Sequence, residues 1–218
     1  MTNERQIDWM EVKQTVKMQA IILGGMIVFI WLVEIVDAFI FQGGLDTNGI
    51  RPRTVDGLQG ILFAPALHSN FSHLMANTVP LLVLGWFVLL RGFKTFAVVT
   101  VTVILVSGLG TWLTGATNSV HIGASGLVFG YFGYLLLNSW FERSLASVLW
   151  AVLVFLLYGS LIWGVLPQGN GISWQGHLFG FIGGGVAAYL LAKRPLSETN
   201  TDFSEDDGVL RIRQEDLY

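Results

Sequence analysis

Apolar residues fall along this chain in six long blocks, and polar residues gather between them. The blocks are Ala20–Phe41, His73–Leu90, Phe93–Leu113, Gly123–Asn138, Ala146–Leu166 and Trp174–Ala192. A helix that crosses a bilayer needs about 20 mostly apolar residues. The pattern therefore predicts an all-α polytopic membrane protein with six spans in a compact bundle. The fourth block is short, which suits a helix whose outer end starts below the membrane surface, enclosed by protein. The first loop, Gln42–Leu67, is the longest. It mixes turn residues (Gly43, Gly44, Asp46, Asn48, Gly49, Pro52) with an apolar run, Leu58–Leu67, suited to lying along the interface. Met1–Val16 is charged and is expected to form a surface helix. The predicted layout is a cytoplasmic segment 1–18, a six-span domain 19–194 and a disordered acidic tail 195–218.

Composition strengthens this picture. Hydrophobic residues make up 53% and charged residues 12% of the chain, against about 25% charged in soluble domains. The net charge of −3 comes from the tail, where Glu198, Asp202, Glu205, Asp206, Asp207, Glu215 and Asp216 outweigh Arg211 and Arg213. Cysteine is absent, which excludes disulfides, thiolate metal sites and a cysteine nucleophile. The first apolar run is too long for a signal-peptide core and lacks a small-x-small cleavage site, so it is expected to remain as a span.

Basic residues predict the orientation. Arg5, Lys13, Lys17, Arg91, Lys94, Arg143, Lys193 and Arg194 all fall on one side, and only Arg51 and Arg53 on the other. That asymmetry puts both termini in the cytoplasm. Spans four and six then start at the outer face, as do all four histidines, His68, His73, His121 and His177.

Strongly polar groups are costly in lipid and therefore report function. Alone, Ser125 in a small-residue helix is ordinarily a packing residue, and His177 a buried histidine bonded to a backbone carbonyl. Together they say more. Gly126, Gly130 and Gly133 recur at helical spacing beside Ser125, and Gly176, Gly180 and Gly184 do so beside His177. Small-xxx-small faces let helix backbones approach closely. Packing of these two faces would bring the serine and the histidine together at one depth. A serine hydroxyl needs a base to become a nucleophile, and imidazole suits that task. No acid presents itself as a third member. Glu34 and Asp37 are expected to be partly exposed, or to hydrogen-bond loop one. Phe129, one turn after Ser125, is placed to stack on the imidazole. For the oxyanion, His73 and Asn77 share a face of the second span, and the start of the fourth offers free N–H groups at Ser125.

Other chemistries fit worse. No His-Glu-x-x-His occurs, so a metal site is not expected. Gly123-Ala-Ser125-Gly126-Leu127 lacks the last glycine of a hydrolase elbow. Basic residues are too sparse for nucleic acid, and no cofactor motif is present.

The element His68-Ser-Asn-Phe-Ser-His73-Leu-Met-Ala-Asn77 resembles the His-x4-His-x3-Asn element of rhomboid intramembrane proteases. Gly123-Ala-Ser125-Gly126 is similar to their Gly-x-Ser-Gly motif, and Gly176-His177-Leu-Phe-Gly180 to their catalytic-histidine motif. The resemblance covers roughly Gln42–Ala192 and looks like a bacterial, six-span member. It implies a serine endopeptidase of the plasma membrane that cuts transmembrane helices of substrate proteins near the outer face. Ser125 would be the nucleophile and His177 the base and later the acid. His73, Asn77 and the Ser125 amide would hold the oxyanion. Gly123, Gly126, Phe129, Gly176, Gly180 and His68 would support them, and Pro167–Gly171 with the outer part of span five would form a gate. The Trp-Arg pair that some members carry in loop one is absent; Arg51-Pro-Arg53 is the nearest basic feature. His121 is expected at the surface or facing substrate. A cavity lined by His73, Asn77, His121 and His177 is expected above Ser125, with none comparable at the inner side. The alternatives are a non-catalytic relative that binds membrane clients, and a small transporter. A transporter would place polar groups near the midplane of repeated halves, which this sequence does not do.

Overall fold

The computed structural model describes residues 9–167 and 173–192. Among these the chain is helical and without strands. Its elements are α1 (Trp9–Val36), α2 (Gly60–Phe63), α3 (Phe71–Leu89), α4 (Phe93–Thr114), α5 (Ser125–Glu142), α6 (Leu145–Tyr158) and α7 (Trp174–Ala192). Four segments are long and apolar enough to cross a membrane alone: Val12–Phe41, Phe71–Leu89, Phe93–Thr114 and Leu145–Val165. The remaining two long helices, α5 and α7, carry Ser125 and His177.

Local chemistry sets the boundaries. Asn70 caps α3 by accepting the His73 N–H at 2.9 Å, which fixes His73 in the first turn. Gly92, at φ +104°, makes the tight α3–α4 connection. Arg143 ends α5 in the left-handed conformation, and Ser144 caps α6 through the Ser147 N–H. Helix α1 runs unbroken from Trp9 to Val36, so residues 9–16, though partly charged, are continuous with the first span and do not form a separate surface helix. Similarly α5 extends to Glu142, beyond the expected end at Asn138.

Helix α5 is the centre of the bundle. Tyr131 and Phe132 on it are fully buried, and α3, α4, α6 and α7 all pack on it. Only 11% of the apolar window of α6 is buried, so that helix lies at the periphery. Glycine lets α5 and α7 touch. A Cβ on Gly180 would lie 2.4 Å from the carbonyl oxygen of Gly126, and one on Gly184 would lie 2.1 Å from that of Gly130. The α5 glycines serve a second neighbour as well. Cβ atoms on Gly126 and Gly130 would strike Ser107 and Val103 of α4.

Loop one folds back as short helical turns at 56–58, 60–63 and 64–66. Ile61, Ala64 and Leu67 face inward while Val55, Leu62 and Phe63 stay exposed, in keeping with an interfacial segment. The Arg53 guanidinium donates to the Leu113 carbonyl at 2.9 Å, and the Trp112 indole donates to the Thr54 carbonyl at 2.8 Å. A tryptophan on α4 and an arginine in the loop thus fasten it. Glu34 and Asp37 are not exposed: both are at least 96% buried. Asp37 accepts the Leu45 N–H at 2.8 Å, tying the end of α1 to loop one.

Candidate active site

Ser125 is the first residue of α5 and His177 lies in the first turn of α7. Their side chains meet: Ser125 Oγ is 2.9 Å from His177 Nε2. His177 Nδ1 lies 3.0 Å from the Gly164 carbonyl oxygen. A carbonyl can only accept, so Nδ1 carries the ring proton in the neutral imidazole. That leaves the Nε2 lone pair facing the serine hydroxyl. Phe129 covers the imidazole with centroids 4.1 Å apart and planes 5° from parallel. Carbonyl and ring together do the orienting that a carboxylate would do elsewhere.

The loop before Ser125 is tightly built. Gly123 has φ +113°, and its N–H donates to the Ala64 carbonyl at 2.8 Å. A Cβ there would lie 2.7 Å from His73 Cε1 and 2.8 Å from His73 Nε2. His68, 1% exposed, accepts the Ala124 N–H through Nε2 at 3.3 Å. Burial, and secondarily the neighbouring His73, push the His68 pKa down to about 4, so the ring is a neutral acceptor. Its ring meets that of His73 edge-on, with centroids 5.1 Å apart. Asn77, also buried, spends one amide proton on the His73 carbonyl at 3.1 Å and keeps the other. His73 and Asn77 therefore border the Gly123–Ser125 turn, where the first N–H groups of α5 have no intrahelical acceptor. Gly176 and Gly180 sit on α7 against α5, as described above.

Two sequence expectations change, both about cavities, and His121 is half-buried with partners on both ring nitrogens. Its Nε2 lies 2.8 Å from Ser119 Oγ and its Nδ1 2.7 Å from Ser173 Oγ. The cavity beside Ser125 has a volume of about 40 Å³ and is walled by His121, Gly123, Ser125, Ser107 and Thr111 among others, but not by His73, Asn77 or His177. Finally, the opposite end of the bundle holds a larger cavity of about 250 Å³, lined by Phe87, Arg91, Glu142 and Trp150, with Arg91 and Glu142 ion-paired. Phe87 of α3 and Trp150 of α6 meet in its wall, with ring centroids 5.4 Å apart.

Sequence reasoning offered a backbone carbonyl as a partner for His177 without identifying Gly164, and it missed Ser173. Which backbone carbonyl a histidine meets carries no sequence signal, and a serine in the connection before α7 does not announce a partner in another loop. Of the expected gate, Pro167 is described, while residues 168–172 and the tail 195–218 lie outside the described residues.

Residues 56–194 match the Rhomboid domain family. An uncharacterized protein of Mycobacterium tuberculosis is 44% identical over 192 residues, covering 82% of this chain and 80% of the relative. One from Mycobacterium leprae is 44% identical over 186 residues, covering 79% and 73%. A Bacillus subtilis protein, provisionally named rhomboid protease YdcA, is 28% identical over 134 residues, covering 59% and 64%.

Proposed function

This chain belongs to the rhomboid family of integral membrane proteins, and on that premise we propose that it is a serine endopeptidase cutting transmembrane segments of other membrane proteins. The observation that carries the reading is the 2.9 Å approach of Ser125 Oγ to an imidazole whose other nitrogen is committed to Gly164. Nε2 accepts the hydroxyl proton as Oγ attacks the peptide carbonyl, then returns it to the leaving amine. The Ser125 N–H, His73 and the free amide proton of Asn77 stabilise the oxyanion, each donor contributing about 10²–10³ in rate. Water from the cavity beside Ser125 hydrolyses the acyl-enzyme; about 40 Å³ has room for a water or two.

The catalytic domain in this reading is residues 19–194. Arg91, Lys94 and Arg143 stand at the end of the bundle opposite Ser125, which favours termini in the cytoplasm and a site near the outer face. Loop-by-loop labelling of introduced cysteines in intact cells tests that orientation.

The chemistry is tested with a serine-directed fluorophosphonate and a reporter transmembrane substrate. The wild type takes the label and cleaves; Ser125→Ala does neither; His177→Ala loses both by several orders of magnitude. Cleavage by Ser125→Ala overturns the reading. Client binding without cleavage or labelling by the wild type would favour a non-catalytic role.

A further inference from the structure

Glycine faces bring α5 and α7 close but supply nothing that stops one helix sliding along the other. The dyad needs that register held, because a displacement of about 1 Å is enough to cost roughly 10²-fold in rate. We propose that His121 is a positioning residue that fixes this register by gripping the N-terminal cap of α7. The proposal rests on Ser125 and His177 being the reacting pair.

Four observations carry it. First, Ser173 is the residue before α7, and it holds the turn that bears the base: its Oγ accepts the Gly176 N–H at 3.4 Å and its carbonyl accepts the His177 N–H at 3.3 Å. Second, His121 Nδ1 meets that same Oγ at 2.7 Å. Third, the hydrogen-bond chain has one consistent direction. Ser119 Oγ spends its proton on the Ala116 carbonyl at 2.6 Å, so it can only accept from His121 Nε2–H at 2.8 Å. His121 Nδ1 then accepts the Ser173 hydroxyl proton, which leaves the Ser173 lone pairs for the Gly176 N–H. Fourth, His121 is itself immobilised. Its backbone exchanges two hydrogen bonds with Ile50 of loop one, at 2.9 and 3.0 Å, and its ring packs over Gly115, where a Cβ would come within 2.7 Å of Nε2.

The placement is regular. Residue 121 lies in the loop four positions before Ser125, which starts α5, and residue 173 lies just before α7, four positions before His177. Each pair joins side chains 52 residues apart in sequence. The two links therefore lie in parallel across the interface, one structural and one reactive. Nothing in the reaction uses His121, whose ring nitrogens are both occupied by serines.

The test compares the wild type with His121→Ala, Ser173→Ala, the double variant and His121→Asn. His121→Asn keeps a donor and an acceptor and guards against simple misfolding, and thermal unfolding in detergent is followed alongside. The expected result is a fall of kcat by roughly 10- to 100-fold in each alanine variant, with KM changed less than threefold. Fluorophosphonate labelling of Ser125, measured without substrate, slows in parallel. The double variant is no slower than either single one, and His121→Asn recovers part of the rate. Alanine variants with wild-type kcat and labelling, or effects that multiply in the double variant, overturn the clamp. Cleavage that persists in Ser125→Ala overturns the Ser–His reading beneath it, which is a different outcome.

Discussion

Phe129 lies flat against His177, its ring plane within 5° of the imidazole plane. Both residues are more than nine-tenths buried. Phe129 belongs to the same helix as Ser125, one turn on, so one helix supplies both the proposed nucleophile and the plate behind the proposed base. Phe129→Leu keeps the apolar volume and removes the stacking. The variant is expected to fold and to lose about 2- to 10-fold in kcat, the equivalent of roughly 0.5–1.5 kcal/mol for a ring pair. Steady-state kinetics with a reporter substrate, beside thermal unfolding, measures both.

Gly123 is held where side chains are disfavoured, at φ +113°, with His73 in the space a Cβ would take. Gly123→Ala therefore strains the turn and displaces one proposed oxyanion donor. A fall in kcat of about 10²-fold or more is expected, with the Ser125–His177 distance little altered. A Gly123→Ala enzyme with full kcat would remove His73 from the oxyanion role.

The glycines of the bundle are not equivalent. Gly180→Ala drives a methyl group into the backbone of Gly126, and α5 and α7 must separate. Gly24→Ala and Gly25→Ala on α1 meet nothing within 4 Å. Gly180→Ala is expected to lose about 1–3 kcal/mol of stability, as overpacked cores do, and activity with it. The α1 variants are expected to unfold at or slightly above the wild-type temperature. Thermal unfolding of the three side by side decides the matter.

His68 stays neutral in the folded chain down to about pH 4, whereas in the unfolded chain it protonates near 6.5. The folded state binds fewer protons in that window, so this residue's contribution is full above pH 6.5 and is lost as pH falls toward 4. Asp46 slopes the other way. Burial, and then the neighbouring Asp37, raise its pKa to about 6, so its proton stabilises the folded state at low pH, and that contribution fades as pH rises from about 4 to 6. The two overlap, and the His68 effect is read as the wild type minus His68→Gln. The stability difference between them is expected to shrink on acidification from pH 7 to 4. A difference independent of pH would mean that His68 titrates normally.

Much of the site was legible in the sequence because intramembrane polarity is sparse and helical spacing is rigid. His73 and Asn77, four apart, had to share a face once α3 formed, and the glycines beside Ser125 and His177 marked the faces that could touch. Loop chemistry was not legible in the same way. Ser119, His121 and Ser173 are common polar residues in connections, and only the packing of two loops shows that they bond to one another. Of the two expectations for Glu34 and Asp37, the hydrogen bond to loop one holds for Asp37, and partial exposure fails for both for a related reason. Their place at the end of α1 is visible in the sequence, but the fold of loop one over them is not.

By itself, then, the sequence determined the helices, the sparse polar residues along them and the candidate pair Ser125 and His177, since each follows from hydropathy, period and residue chemistry along one segment. The tertiary structure alone decided which carbonyl His177 bonds to, that His121 meets Ser173, and where the cavities lie. Those depend on a glycine carbonyl and on loops that meet across the bundle, and contacts between distant segments leave no local pattern in the chain.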